Sequence, residues 1–287
     1  MDLFLQTVIN GILLGGIYIV LAAGFSLVFG VLDIIDFAVG EWVMLGAFAA
    51  YFGQQYLHVD AFVFLPVVFV AFFALGYAIQ PIIFRVVSTK THLPMLMGLV
   101  FTFGLSTLMK GSALTAWGYN PRSLDTFLSD TSLALSIPGL RLFAFVFAVA
   151  ATLLFIGFLY RTRTGLAIRA AAQDRDKAAL MGVRVKDLAS VVYGLYAGMT
   201  GMAGVLIGAI FSLSPQMGAK YTTFAFFVVV LGGLGYVPGV FVAAILLGLI
   251  NTMTTVYFNA SYSFLMVFLL LFLVLIIQPK GILGRGT

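Results

Sequence analysis

Charged residues and cysteine are what this sequence lacks most. Only 9% of its 287 residues are Asp, Glu, Lys or Arg, whereas a soluble domain carries about 25%. So few charges cannot cover a solvated surface, which excludes a soluble enzyme, a nucleic-acid-binding protein and a disordered scaffold. Cysteine is absent, which excludes disulfides, thiolate metal sites and thiol redox motifs. The two histidines, His58 and His92, are too few and too far apart for a metal cluster.

Apolar residues make up 62% of the chain, and long uncharged runs indicate that the bilayer is its solvent. About 20 apolar residues cross the hydrocarbon core as a helix. We therefore predict an all-α polytopic membrane protein, a single domain over residues 1–287 with about eight or nine transmembrane helices, some broken or re-entrant. Glycine pairs such as Gly11 and Gly15 predict close helix packing. The candidate spans are 6–31, 40–57, 61–84, 93–115, 139–160, 188–211, 221–236, 238–258 and 262–278.

The positions of the basic residues predict the orientation. Cytoplasmic loops of membrane proteins carry an excess of Lys and Arg, and the loop at 161–187 holds seven of the 15 basic residues. With this loop in the cytoplasm, 11 basic residues lie inside and 4 outside, Lys110, Arg122, Arg141 and Lys220. The C-terminus is then cytoplasmic and the N-terminus external.

Two glycine-containing stretches, 30–41 and 231–239, interrupt apolar segments, one in each half of the chain. Non-helical backbone at membrane depth persists only beside protein or a water-filled cavity, and paired breaks mark transport sites. Two ordinary loops are the alternative, in which case the acidic residues are solvated or cap a helix. The predicted translocation path comprises Asp33, Asp36, Phe37, Gly40, Glu41, Gly232, Gly233 and Gly235.

The long polar segment at 161–187 predicts one or two short amphipathic helices outside the membrane. Helix-forming residues dominate from Leu166 to Met181, with Thr164 as the predicted N-cap and Gly182 as the C-cap. A basic helix of this kind can rest on anionic lipid. Its apolar side consists of small residues, expected to face outward, which favours docking of a cytosolic partner.

The sequence contains no phosphate-binding loop of the form G-x-x-x-x-G-K-[ST]. An ATP-driven transporter would therefore need its ATPase on a separate polypeptide. Two other possibilities stay open. One is an ion-coupled secondary transporter that uses Asp33, Asp36 and Glu41, and the other is a membrane scaffold.

Four motifs, in order along residues 8–286, together resemble a known family. The first comprises Asn10, Gly11, Gly15, Tyr18, Ala22, Gly24, Gly30 and the run from Asp36 to Glu41. The later ones are Leu231–Gly235 with Pro238 and Gly239, and the terminal run from Pro279 to Arg285. The second motif in chain order, between the first motif and Leu231, comprises Gly165, Arg169, Ala170, Asp174, Ala178, Gly182 and Val183. This pattern resembles branched-chain amino acid ABC transporter permeases of the LivH type.

The resemblance implies a multi-pass subunit of the bacterial inner membrane without catalytic residues, metal or cofactor of its own. Its implied partners are a second homologous permease, two ATPase subunits that bind Mg-ATP, and an extracytoplasmic binding protein. The polar loop would contact the ATPases, and segment 34–41 would line the path near the partner permease, opposite the break at 232–239. The family usually has Asn and His where this chain has Asp36 and Val39, which leaves branched-chain amino acids, urea, amides and aromatic acids open as substrates.

Overall fold

The computed structural model describes residues 3–88, 94–127, 132–133 and 137–284. Within these ranges the chain forms α-helices joined by short connections, with one 3₁₀ turn at Ala61–Val63 and one two-residue strand pair, β1 (Ser132–Leu133) and β2 (Ile137–Pro138). The helices are α1 (Leu3–Leu32), α2 (Val39–Leu57), α3 (Phe64–Ser88), α4 (Pro94–Trp117), α5 (Gly139–Arg161), α6 (Arg163–Gln173), α7 (Arg175–Leu180), α8 (Val185–Ile210), α9 (Met217–Gly232), α10 (Val237–Tyr257) and α11 (Ala260–Ile277).

The predicted all-α membrane fold is confirmed. Every candidate span coincides with one helix, α1–α5 or α8–α11, and seven of the described helices are long and apolar enough to cross a membrane. The seventh span is the short helix α9, of 16 residues. Its start was predicted too late, because Lys220 lies in its first turn rather than before it. Helix α8 likewise begins at Val185, inside the predicted polar loop.

We call the end of the bundle that carries the polar loop (161–187) the loop end, and the opposite end the far end. The loop end carries α6 and α7, and here Arg175 of α7 forms an ion pair with Asp33, the residue after α1. At the far end, Arg122 pairs with Leu213 through two backbone hydrogen bonds. Since successive long helices run in alternate directions, the links between α8 and α9 and between α10 and α11 lie at the far end.

Helices α1 and α8 form the centre and are buried along most of their length. Glycines let α1 pack directly on α10, since a Cβ atom at Gly248 would lie 2.7 Å from the Cα atom of Gly15. This contact agrees with the close packing predicted from Gly11 and Gly15. Helices α4 and α11 are the least buried of the candidate spans.

Candidate functional site

The backbone between α1 and α2 leaves the loop end and enters the bundle as a non-helical strand of chain. We call residues 33–38 the linker segment. Asp33 lies at the loop end, whereas Phe37 bonds to Thr102 in the third turn of α4. Glu41, in the first turn of α2, bonds to Ser106 at the midpoint of α4. The linker segment therefore reaches the middle depth of a spanning helix, as the break at 30–41 predicts.

Two threonines pair with four polar groups of this buried backbone. Thr102 Oγ1 accepts from the Phe37 N–H (3.2 Å) and lies 3.0 Å from the Ile35 carbonyl oxygen, to which it donates. On the other side, Thr222 Oγ1 of α9 accepts from the Gly40 N–H (3.0 Å) and lies 3.4 Å from the Phe37 carbonyl oxygen. Protein groups thus replace the hydrogen bonds that neither a helix nor water supplies at this depth.

Asp36 is completely buried and hydrogen-bonded through both oxygens. Oδ1 accepts from the Ala38 N–H at 2.7 Å, and Oδ2 accepts from the Tyr193 hydroxyl of α8 at 2.7 Å. The first bond is the short side-chain-to-backbone contact by which Asp stabilises a turn before a helix. The carboxylate thereby holds the turn before α2, whose N-cap position is Ala38 and has no side-chain cap.

Glu41 is also buried, but it is only partly paired. The Ser106 hydroxyl lies 3.4 Å from Oε1, while Oε2 has no hydrogen-bond partner among the described residues. Lys110, one turn further along α4, interacts with the carboxylate electrostatically. Gly218 and Gly40 make room, since a Cβ atom at either position would clash with Glu41 or with the α9 backbone. An incompletely paired acid at membrane depth is typical of a functional site.

Asp33 differs from the two buried acids. Its side chain is 74% exposed, and its carboxylate pairs with the Arg175 guanidinium at 2.6 Å. Asp33 therefore lies in an exposed environment at the loop end, as the solvated alternative describes, and its role in the path stays a prediction. This ion pair links the polar loop to the start of the linker segment.

The second break joins α9 to α10 at the loop end and does not reach the depth of Glu41. Gly232 and Gly233 are buried and Gly235 is half-buried. Gly235 packs on Gly30, where a Cβ atom would lie 2.9 Å from the neighbouring Cα atom. Gly232 is 14 residues along α9 from Gly218, which contacts Glu41, a rise of about 21 Å. The two breaks therefore adjoin through the end of α1, at the loop end.

The polar loop contains two helices rather than one. The N-cap is Thr162 and not the predicted Thr164, because the Thr162 hydroxyl accepts from the Gly165 N–H at 3.0 Å. Asp174 ends α6 and caps α7, accepting from the Lys177 N–H at 3.0 Å. This backbone hydrogen bond, with the Lys177 side chain, holds the pKa of Asp174 below its ordinary value.

Gly182 follows α7 with a φ of +88°, a conformation that favours glycine. Its N–H donates to the Ala179 carbonyl (3.0 Å), and the Val183 N–H donates to the Ala178 carbonyl (3.1 Å). These two bonds form a Schellman motif. The predicted helix end at Gly182 is thereby confirmed.

The small residues of the loop divide between the two sides: Ala172, Ala179 and Gly182 are exposed as expected, whereas others face the bundle. Ala178 and Gly165 are buried, Ala170 and Val183 are half-buried, and the Arg169 guanidinium lies 4.6 Å from the Tyr160 ring centre. Ala178 and Gly165 are buried because α6 and α7 lie on the ends of the long helices, where only small side chains fit.

Large apolar side chains are exposed where α7 ends, at Leu180 and at Met181, the residue after the helix, and we call this pair the exposed face of α7. Leu180 is 87% exposed and Met181 is 86% exposed, the two highest values among the large apolar residues that the structure describes. Sequence reasoning missed this pair. Its signal was two large apolar residues directly before a helix-ending glycine in an otherwise polar loop.

Comparisons with known proteins agree with this architecture. Residues 7–276 match the family model described as the permease component of branched-chain amino acid transport systems. The chain is 28% identical to the high-affinity branched-chain amino acid permease LivH of Escherichia coli K12 and to BraD of Pseudomonas aeruginosa, covering 98% of this chain and 96% of each relative. A probable LivH of Methanocaldococcus jannaschii is 24% identical over 99% of this chain and 94% of that protein. No solved structure matches.

Replacement of Asp36 tests its role in the fold. Asp36→Ala leaves the Ala38 N–H and the Tyr193 hydroxyl buried without an acceptor, so we expect the free energy of unfolding to fall by about 2–5 kcal/mol. Asp36→Asn should cost less, because an amide can accept from Ala38 and donate to Tyr193. Thermal unfolding in detergent measures both, with Asp33→Asn as the exposed control. Equal stability of Asp36→Ala and the unmodified protein would contradict this role.

Proposed function

The chain belongs to the permease family of branched-chain amino acid transport systems, and we propose that it is the membrane-spanning subunit of an ATP-driven importer. The substrate is a branched-chain amino acid or a related small polar, amide or carboxylate solute. An extracytoplasmic binding protein delivers it, a second homologous permease completes the pore, and two separate ATPase subunits hydrolyse Mg-ATP. This chain contributes no catalytic site of its own.

The basic polar loop supports the orientation. Seven Lys and Arg residues at 161–187 support a cytoplasmic loop end, by the positive-inside rule. The far end then faces the binding protein, and the protein is a multi-pass subunit of the bacterial inner membrane. The C-terminal residues after α11 also contact the loop end, because the Ile282 N–H donates to the Leu231 carbonyl at 2.8 Å. A cytoplasmic C-terminus follows.

The observation that carries the proposal is the physical continuity between the loop and a buried acid. Arg175 of α7 holds Asp33, and eight residues later the chain reaches Glu41 at the middle of the bundle. A movement of α7 would therefore pull directly on the linker segment. ATP-driven closure of the ATPases would thus be transmitted to the site.

Within this mechanism the predicted path residues take different parts. Phe37, Gly40 and Glu41 line the path beside the exposed face of α4, where the partner permease would pack. Asp33 and Asp36 position the linker segment through Arg175 and Tyr193. Gly232, Gly233 and Gly235 form the second break, which closes the path at the cytoplasmic end.

An ion-coupled transporter is the second candidate, because Glu41 Oε2 is buried without a hydrogen-bond partner in the described part of the chain. Reconstitution separates the two functions. Proteoliposomes containing both permeases and both ATPases should accumulate labelled leucine only with Mg-ATP and the binding protein. Uptake driven by a proton or sodium gradient without ATP would contradict the importer.

The exposed face of α7 predicts where the ATPases bind. Leu180→Ser and Met181→Ser should each weaken association of the ATPase subunits by about tenfold or more, since a central apolar anchor contributes over 1 kcal/mol to an interface. Co-purification and transport-linked ATP hydrolysis measure this loss. The matched control is Leu166→Ser, an exposed leucine on α6.

Both side chains are solvent-exposed, so the folded permease should be unaffected. Undiminished ATPase binding in the Leu180 and Met181 variants together would show that the contact lies elsewhere. Ala178→Arg is the less informative test, because Ala178 is buried in the chain itself and the change would disturb the loop.

A further inference from the structure

A cavity with both polar and apolar lining residues lies at the far end, away from Glu41. It has a volume of about 510 Å³ and is enclosed by α1, α5, α8, α9, α10 and α11. Of the described residues that line it, two are cationic, Arg141 and Lys220, and none is acidic. None of the residues that line this cavity lies in either of the two breaks, 30–41 and 231–239.

The two cations are not neutralised by this chain. Arg141 is half-buried, and its guanidinium donates to Asn10 Oδ1 at 3.0 Å, which uses one of its five donors. Lys220 Nζ lies 5.8 Å from the Phe211 ring centre and 5.7 Å from the Tyr221 ring centre. Neither forms an ion pair within the described ranges. The cavity therefore carries an excess of positive charge.

Helix N-termini and a serine hydroxyl add hydrogen-bond donors near the two cations. Helices α5, α9 and α11 begin at this cavity, and helix N-termini favour anions. Ser263, in the first turn of α11, is 7% exposed, and its hydroxyl has no partner among the described residues. The Ser263 side chain lines the cavity, and its buried, unpartnered hydroxyl is a further donor beside the two cations.

The remaining wall is mixed: Asn251, Thr252 and Thr255 contribute neutral polar groups, and the larger part is apolar. Leu13, Ile17 and Val256 line it with Phe264, and the Tyr18 ring stacks on Phe224 at 5.2 Å. The cavity thus offers cations and donors beside aliphatic and aromatic surface. A ligand that suits both parts has an anionic head and a short branched apolar tail.

We propose that this cavity is an entry site that binds the carboxylate of a small aliphatic substrate between Arg141 and Lys220. The inference rests on the proposed function and adds the place where the substrate is first held. Because the described wall offers neutral acceptors but no acid to neutralise an ammonium group, the site recognises chiefly the carboxylate and the apolar tail. Binding should therefore tolerate loss of the amino group but not loss of the carboxylate charge.

Direct binding to the complete transporter in nanodiscs, without binding protein, tests the site. Labelled leucine should be displaced by 4-methylpentanoate, which lacks the amino group, and not by leucinamide, which lacks the carboxylate. Arg141→Gln and Lys220→Met should each raise the dissociation constant about tenfold or more, because a charge-assisted hydrogen bond is lost. Arg141→Lys should retain part of the affinity, and Arg122→Gln, outside the cavity, should retain all of it.

Three outcomes would overturn the inference. Displacement by leucinamide but not by 4-methylpentanoate would show recognition of the amino group. Unchanged affinity in both Arg141→Gln and Lys220→Met would place the leucine elsewhere. Binding that is abolished when phosphatidylglycerol replaces phosphatidylcholine would assign the cavity to an anionic lipid headgroup instead. Failure of the proposed function is distinct, because ATP-driven uptake by the unmodified complex would then be absent.

Discussion

The structure depends on one constraint, the need to satisfy non-helical backbone inside the bilayer. Beyond Asp33, whose N–H still bonds to the Phe29 carbonyl, the linker segment crosses about half the bundle as non-helical backbone. Each unsatisfied polar group at that depth would cost several kcal/mol. Thr102 and Thr222 pair its backbone from opposite sides, and Asp36 joins it to Tyr193. Three helices, α4, α8 and α9, therefore fix one short segment.

This arrangement explains why Glu41 can lie where it does. Once the linker segment has entered the bundle, α2 begins at mid-depth, and its first turn carries the carboxylate to Ser106. The backbone of α9 comes close enough only because Gly40 and Gly218 lack side chains. The ion pair between Asp33 and Arg175 connects the other end of the same segment to the polar loop. In the proposed mechanism, one continuous piece of chain joins ATPase docking to the path.

Sequence patterns predicted the features that burial in the bilayer imposes on the chain. Apolar runs located the long helices because the bilayer admits few alternatives, and the break at 30–41 was visible from its charges and glycines. The three acids could not be told apart, since their roles depend on Arg175, Tyr193 and Ser106, which are distant in sequence. The exposed face of α7 was likewise hidden, because burial of Ala178 depends on how the loop lies on the bundle.

The most direct test of the linker segment is its access to water during transport. The chain contains no cysteine, so Phe37→Cys in a complex with cysteine-free partners can be labelled by a water-soluble thiol reagent. We expect labelling that changes when ATP is bound and that substrate slows, whereas Ala22→Cys, completely buried in α1, stays unlabelled. A Phe37→Cys complex that transports normally but resists labelling in every state would contradict the account.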